Sequence, residues 1–518
     1  MSSKKQKKKQ KRKQKLQKCK RSIESRLDKT KLPDSEKPMF SASNIHYDLS
    51  DKVRALDVGG VGAIHKMVQS IGLIDDIDKN LHLLKIHLPY HESDHVLNVA
   101  YNILAGGTCL EDIELLRNNE VYLDALGTPR IPDPTTAGDF FRRFNSFQIE
   151  LLMDTINESR IRVWKEQPES FFEEAVIDAD GTLMKTNGEC KEGMDISYKG
   201  LWGYHPLVVS LANTGEPLYI INRSGNRPSH EGAFHWLDKS IDHCQKAGFK
   251  KILLRGDTDF SQTEHLDRWD DKNIRFVFGM DTMPNLVKIA QNIPEDEWEA
   301  MIRRPKYEVE TTPRRKPENV KDRIVLEREF ENIRLVSEQV SEFPYSPTKC
   351  KKTYRMVVVR KNLSIEKGEN VLFDDVRYFY YITNDHSSPA YEIVFESNDR
   401  CNQENLIEQL KNGVRALNAP VDNLNSNWAY MVIASLAWTL KAWFALMLPE
   451  KGRWKDKHQM EKRTVLRMEF KKFLNVFMRV PAQIITQGRK IIYRFLSWNP
   501  WQTVFFRFVD RLNSKLTL

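Results

Sequence analysis

The chain has 518 residues, 40% of them hydrophobic, six cysteines and a formal charge of +9. That length admits two to four domains and a large buried core. The cysteines (Cys19, Cys109, Cys190, Cys244, Cys350, Cys401) never fall at C-x-x-C spacing, which argues against zinc modules and for reduced, cytoplasmic surroundings.

Charge is unevenly spread: residues 1–21 carry +12, residues 451–518 carry +12, and residues 22–450 carry −15. Basic ends around an acidic middle suit a protein that meets a polyanion through its ends. Lys7, Lys8, Lys9, Lys11, Arg12 and Lys13 are the densest group and the candidate DNA contacts of the N-terminus. A solubilising tail and a basic helical surface would carry the same charges. The lysine-rich start lacks the following apolar run of a secretory signal.

In chain order, residues 1–45 are polar and poor in large apolar residues, so they are expected to be a disordered basic tail. Residues 46–170 read as helical. Ala63–Ile71, Val96–Leu104 and Leu110–Leu116 have apolar residues at helical spacing, and Pro132–Thr136 is a stop followed by a cap. Ala137–Phe144 starts a further helix carrying Arg142 and Arg143, and the domain suits either DNA binding or packing. Over residues 171–284 the texture changes. Ala175–Asp180, Leu207–Ala212 and Pro217–Asn222 read as strands, the last two joined across a hairpin turn at 213–216. A helix at His230–Ala247, a strand from Lys251, a capping box at Ser261–Glu264 and a strand at Ile274–Met280 come next. This order predicts a mixed α/β sheet whose first three strands form a meander. Residues 285–395, with Tyr354–Arg360 and Val376–Thr383, read as a β-rich insertion that also holds the charged, proline-bearing segment Pro305–Pro317. Residues 396–450 read as the final helices of the α/β core. Met431–Leu448 is 18 residues long and contains Lys441, so it reads as a buried helix rather than a membrane span. Residues 451–518 read as a basic helical region.

Three acidic residues stand out. Asp180 ends the run AVIDAD, Asp257 follows KILLRG, and Glu404 lies on a helical stretch with Arg400 before it and Lys411 after it. Singly, each has a bland explanation: a solvated aspartate in a turn, or one charge on an amphipathic helix whose other face is Leu406, Leu410, Val414 and Leu417. Together, two strand ends and a helix face can converge. Clustered carboxylates repel one another, and two divalent metal ions relieve that repulsion while serving an in-line displacement at phosphorus. Asp178 and Asp259, each two residues away, are the confusable neighbours.

These segments resemble the DDE transposases of bacterial insertion sequences, in the group with a Tyr-Arg-Glu-Lys signature and a β insertion. The signature spacing is Y-x2-R-x3-E-x6-K; Arg400, Glu404 and Lys411 fit it, and the tyrosine position holds Ser397. VIDADGT resembles the first-aspartate strand and RGDTDF the second, and Gly203–Leu207 and Arg223–Asn226 are also similar to that group. The resemblance covers roughly residues 60–448. It implies an RNase H-like core and Asp180, Asp257 and Glu404 as catalytic metal ligands for two Mg2+ ions, with Mn2+ as a substitute. It also implies Arg400 and Lys411 as phosphate contacts, and cut-and-paste transposition at the nucleoid by a homodimer or larger assembly on element ends and target DNA. No membrane and no small-molecule cofactor are expected. A nuclease of the same core that cuts without joining, or an inactive transposase-derived DNA-binding protein, are the alternatives.

Overall fold

The computed structural model describes residues 2–28, 42, 44–47, 53–87, 89–303, 320–367, 370–450 and 452–515, so Pro305–Pro317 and part of the expected tail lie outside the described residues. The chain divides into two compact units, Gln167–Glu408 and the combination of Met1–Glu166 with Gln409–Leu518.

The unit Gln167–Glu408 is built on one nine-stranded sheet, and its class is the mixed α/β expected from the sequence. Its strands are β1 (Glu174–Gly181), β2 (Leu207–Leu211), β3 (Glu216–Ile221), β4 (Lys251–Gly256), β5 (Arg275–Met280), β6 (Glu299–Ala300), β7 (Glu331–Tyr345), β8 (Tyr354–Lys367) and β9 (Asn370–Thr383). Their order across the sheet is β6-β7-β8-β9-β5-β4-β1-β2-β3. β1, β4 and β5 run parallel, and β2 and β3 form the antiparallel meander. The parallel strands are nearly continuous apolar runs because both faces are covered. Leu253 and Val277 pack with Val357, Val359, Ile393 and Val394, joining core and insertion strands in one cluster. The insertion is therefore a continuation of the core sheet: β9 pairs antiparallel with β5 through Thr383↔Val277 to Tyr380↔Met280.

Three helices pack on this sheet: α1 (Ala233–Ala247), α2 (Ala390–Asn398) and α3 (Cys401–Glu408). Arg275 on β5 fixes α2. Its Nη1 donates to Glu174 Oε1 at 2.7 Å, and its Nη2 to Asp385 Oδ2 at 2.9 Å and Glu396 Oε2 at 3.0 Å. Buried Gln403 fixes α3 by donating to Val208 O at 3.0 Å and accepting from Ser210 Oγ, both on β2. The expected capping box does not form: Glu264 pairs with Lys349 at 2.8 Å instead, and the helix begins only at Leu266.

The other unit is mainly helical. The helix expected from Ala137 begins earlier, at Pro134, where the Asp133 carboxylate caps it by accepting from Thr136 N at 2.8 Å. Arg142 is exposed but held by Asp139 and Asp422. The apolar helix Leu424–Leu446 is the interior of this unit, with every residue from Ser426 to Leu446 buried. It is long and apolar enough to cross a membrane by composition, yet it is wholly buried. Three expectations need correction. This helix belongs to the unit containing the N-terminal helices, not to the α/β unit. Residues 482–495, expected helical, form the hairpin Ala482–Gln487/Lys490–Phe495, paired to Ala55–Leu56. Gly488, with φ 60°, makes its turn, and β-branched Ile484, Ile485, Ile491 and Ile492 line its strands. Ser2–Arg26, expected disordered, is a helix. Lys, Arg and Gln are good helix formers, and that stretch holds no Gly or Pro. Arg12 anchors it by donating to both Asp510 oxygens at 3.1 and 2.5 Å, with its guanidinium 4.5 Å from the Phe506 ring centroid.

Lys441, within the buried helix, donates to Leu466 O at 2.6 Å and lies 4.0 Å from the Trp438 ring centroid. Burial lowers its pKa to about 7. Between pH 7 and 10 the unfolded chain therefore binds the proton that the folded one has lost, so stability rises with pH over that window. Lys441→Met should abolish this rise, read as melting temperature against pH. An unchanged slope would place the titration elsewhere.

Candidate active site

The two aspartates reach one point because their strands are locked side by side. β1 and β4 are parallel with Asp178 opposite Arg255. Arg255 Nε donates to Asp178 Oδ1 at 2.7 Å and Nη2 to Oδ2 at 2.8 Å, both side chains being nearly inaccessible. Arg255 Nη1 also donates to Glu396 O of α2 at 2.8 Å. Asp178 is thus consumed by a bidentate buried pair. Asp180 and Asp257 each follow this pair by two residues, at the carboxyl edge of the sheet.

Arg400, between α2 and α3, receives both: its Nη1 lies 3.8 Å from Asp180 Oδ2 and 3.9 Å from Asp257 Oδ2. Asp257 also caps the 3-10 turn Thr258–Phe260, accepting from Asp259 N at 3.0 Å. Space for that turn is made by Gly279 on β5, where a Cβ would come within 3.0 Å of Thr258 N. Asp259 itself is exposed and contributes its backbone. The structure therefore commits Asp178 to Arg255 and brings Asp180 and Asp257 together at Arg400.

Burial is the main cause that raises the Asp180 pKa to about 7, with Asp257 and Glu404 adding repulsion and Arg400 opposing it. Asp257 is raised too, first by burial, then against Arg400 by Asp259 and Asp281. Glu404 sits on α3 close enough for Asp180 to feel its charge, but it is exposed. Among the described residues, no three acidic, His or Cys side chains are already gathered as metal ligands. Asp180 and Asp257 fit a cation by position and by their mutual repulsion, and Glu404 is the exposed acid whose charge Asp180 feels.

Lys411 lies beyond α3 in the π-helical turn Gln409–Gly413, which belongs to the other unit. Lys7, Lys8, Lys9, Lys11 and Lys13 are exposed on the helix Ser2–Arg26, whereas Arg12 is spent on Asp510. Sequence reasoning gave no role to His205 and Arg223. Arg223 is buried and donates to the carbonyls of His205, Pro228, Ser229 and Glu231. His205 Nδ1 donates to Arg227 O at 2.6 Å, and its Nε2 would lie 2.9 Å from a Cβ at Gly181, beside Asp180. The motifs Gly203–Leu207 and Arg223–Asn226 carried that signal.

The family model for the transposase DDE domain group 1 matches residues 55–516. The chain belongs to this family of DDE transposases. No curated protein matches it. Among solved structures, it is similar to a cryo-EM structure of a piggyBac transposase synaptic complex with hairpin DNA. That chain is 10% identical, with 80% of this chain and 81% of that one covered at a TM-score of 0.35. DDE transposase domains generally use divalent metal ions.

The two neighbouring aspartates of this transposase should separate by experiment. Asp178→Asn leaves Arg255 buried beside a neutral partner and should cost about 3–5 kcal/mol of stability. Asp180→Asn should behave oppositely. Its carboxyl has a raised folded pKa, so its stabilising contribution is complete in acid and lost as pH rises through about 7. In EDTA, Asp180→Asn should match the wild type near pH 4 and melt higher at pH 8, where it no longer buries a charge beside Asp257. Calorimetry of both variants across pH checks the pair; an Asp178→Asn protein as stable as wild type contradicts it.

Proposed function

We propose that this protein is a cut-and-paste DNA transposase with an RNase H-like core, of the insertion-sequence group whose signature is carried here by Arg400, Glu404 and Lys411. The observation that carries the reading is the meeting of Asp180 and Asp257, from adjacent parallel strands, on a single nitrogen of Arg400. The strand order β3-β2-β1-β4-β5, with β2 antiparallel, supports the core assignment.

In this reading Asp180, Asp257 and Glu404 hold two Mg2+ ions. Such ions, when bound, would lower the pKa of a water or 3′-hydroxyl and offset charge on the leaving oxygen. The chain's residues do the rest. Arg400 holds the two aspartates apart before DNA arrives, then turns to a phosphate of the cleaved strand. Lys411 takes a phosphate on the other side of the scissile bond. Asp180 exchanges its proton near neutrality, so metal affinity rises with pH through about 7. The mainly helical unit and the basic N-terminal helix serve the duplex flanks, and the protein works as a dimer or larger assembly at the bacterial nucleoid.

The decisive assay uses duplexes carrying the DNA that flanks this coding region, in Mg2+, with target plasmid. Asp257→Asn should abolish both end cleavage and joining, while Arg400→Ala and Lys411→Ala should lower single-turnover cleavage by about tenfold to a hundredfold with the protein still folded. Joining of pre-cut ends separates a transposase from a nuclease, which would fail that step.

Removing residues 1–21 should weaken DNA binding, make it less salt-dependent, and leave end cleavage intact, because exposed lysines act through counterion release. Binding isotherms across a salt series test this; an unchanged slope means the helix does not touch DNA.

A further inference from the structure

Asp257 and Arg400 line a cavity of about 330 Å3 whose aromatic lining residues have so far been given no role. Its lining includes Ser397 and, from β9, Phe379 and Tyr381. Ser397 is buried, 6% exposed, and its small side chain leaves the space open. Phe379 and Tyr381 are two apart on a strand and share a face. Tyr381 is opposite Gly279 on β5, the residue that makes room for the Asp257 turn. Its ring packs on the apolar cluster beneath α2, with Ile393 and Val394. The ring is therefore held by packing, while its hydroxyl has no hydrogen-bond partner among the described residues. That hydroxyl is also within electrostatic reach of Arg303, of Glu338, which pairs with Arg303, and of Arg400.

We propose that Tyr381 is a DNA-contacting residue of this active site, its phenol donating a hydrogen bond to a backbone phosphate of the strand that enters the cavity beside Asp257 and Arg400. Three features favour this over a filler role. The Tyr381 phenol lines the cavity together with Arg400 and makes no protein hydrogen bond among the described residues, so its donor is available to a ligand oxygen. The ring is immobilised on β9, so the donor is presented without loss of rotamer freedom. Burial raises its pKa, so the phenol stays protonated and donates at neutral pH. A phosphate there would also meet Arg400, giving one cation and one neutral donor to a single anion.

The proposal rests on the transposase reading, and its test keeps the two apart. Tyr381→Phe keeps the ring and removes only the donor. On duplexes carrying the DNA that flanks the coding region, it should cleave about tenfold to a hundredfold more slowly in single turnover, with unchanged melting temperature. A methylphosphonate scan through the phosphates around the scissile bond identifies the partner. At one position the neutral phosphate should slow the wild type and leave Tyr381→Phe no slower than it already is. Tyr381→Phe combined with Ser397→Tyr should recover activity, since position 397 faces the same cavity. Wild-type cleavage that Tyr381→Phe equals, or additive losses at every phosphate, overturns the proposal alone. A wild type that cleaves none of these duplexes overturns the transposase reading and this proposal with it.

Discussion

The ion pair between Asp178 and Arg255 is the constraint on which the site depends. It joins two adjacent parallel strands inside the protein with two short charge-assisted bonds, and a third bond from Arg255 reaches α2. Burying two charges is expensive, and such a pair adds little net stability over a well-packed apolar substitute. Its value is positional. It fixes β1, β4 and α2 relative to one another within hydrogen-bond tolerance, so residues two positions further along both strands emerge at a common point. A hydrophobic pair could slide; a bidentate pair cannot.

What emerges there is electrostatically unfavourable. Two carboxylates approach one guanidinium from either side, and a third acid lies close enough to be felt. Burial, with the repulsion added by Asp257 and Glu404, raises the Asp180 pKa to about 7, and Arg400 only partly opposes it. An arrangement this unfavourable is maintained only by the rigidity around it, and perturbed carboxylates of this kind are typical of functional sites. A cation binding between them would relieve repulsion already present in the fold, and the exposed Glu404 on α3 is the acid with freedom to join.

The insertion strands also serve the site directly. Because β9 pairs with β5, the sheet continues past the core without a break, and Phe379 and Tyr381 of β9 line a cavity together with Arg400. Long antiparallel strands β7, β8 and β9 carry exposed apolar residues at their far ends, including Ile333, Leu335 and Phe373. Their near ends are buried in the shared core. The same three strands are thus structural at one end and surface-forming at the other.

The sequence by itself determined the local elements of the α/β unit. Alternation and apolar runs mark β1 to β5, and Pro132–Thr136 marks a break and cap at a helix, because these signals arise from neighbours within a few residues. It also marked Asp180, Asp257, Glu404 and Arg400, since strand ends and helix faces can be read from spacing. Spacing could not choose between Asp178 and Asp180, which share a face of β1; only the parallel register with Arg255 decides which one is consumed. Composition misread Ser2–Arg26, whose polarity suggests disorder, because the contacts that hold it, Arg12 with Asp510 and Phe506, come from the opposite end of the chain. The hairpin at 482–495 went unread for a similar reason: part of its pairing lies with Ala55–Leu56. Nor could Tyr381 be placed beside Arg400 by sequence, since β9 reaches the site only through its pairing with β5. Residue spacing encodes which face a side chain occupies; which faces meet is set by long-range pairing, and that belongs to the tertiary structure.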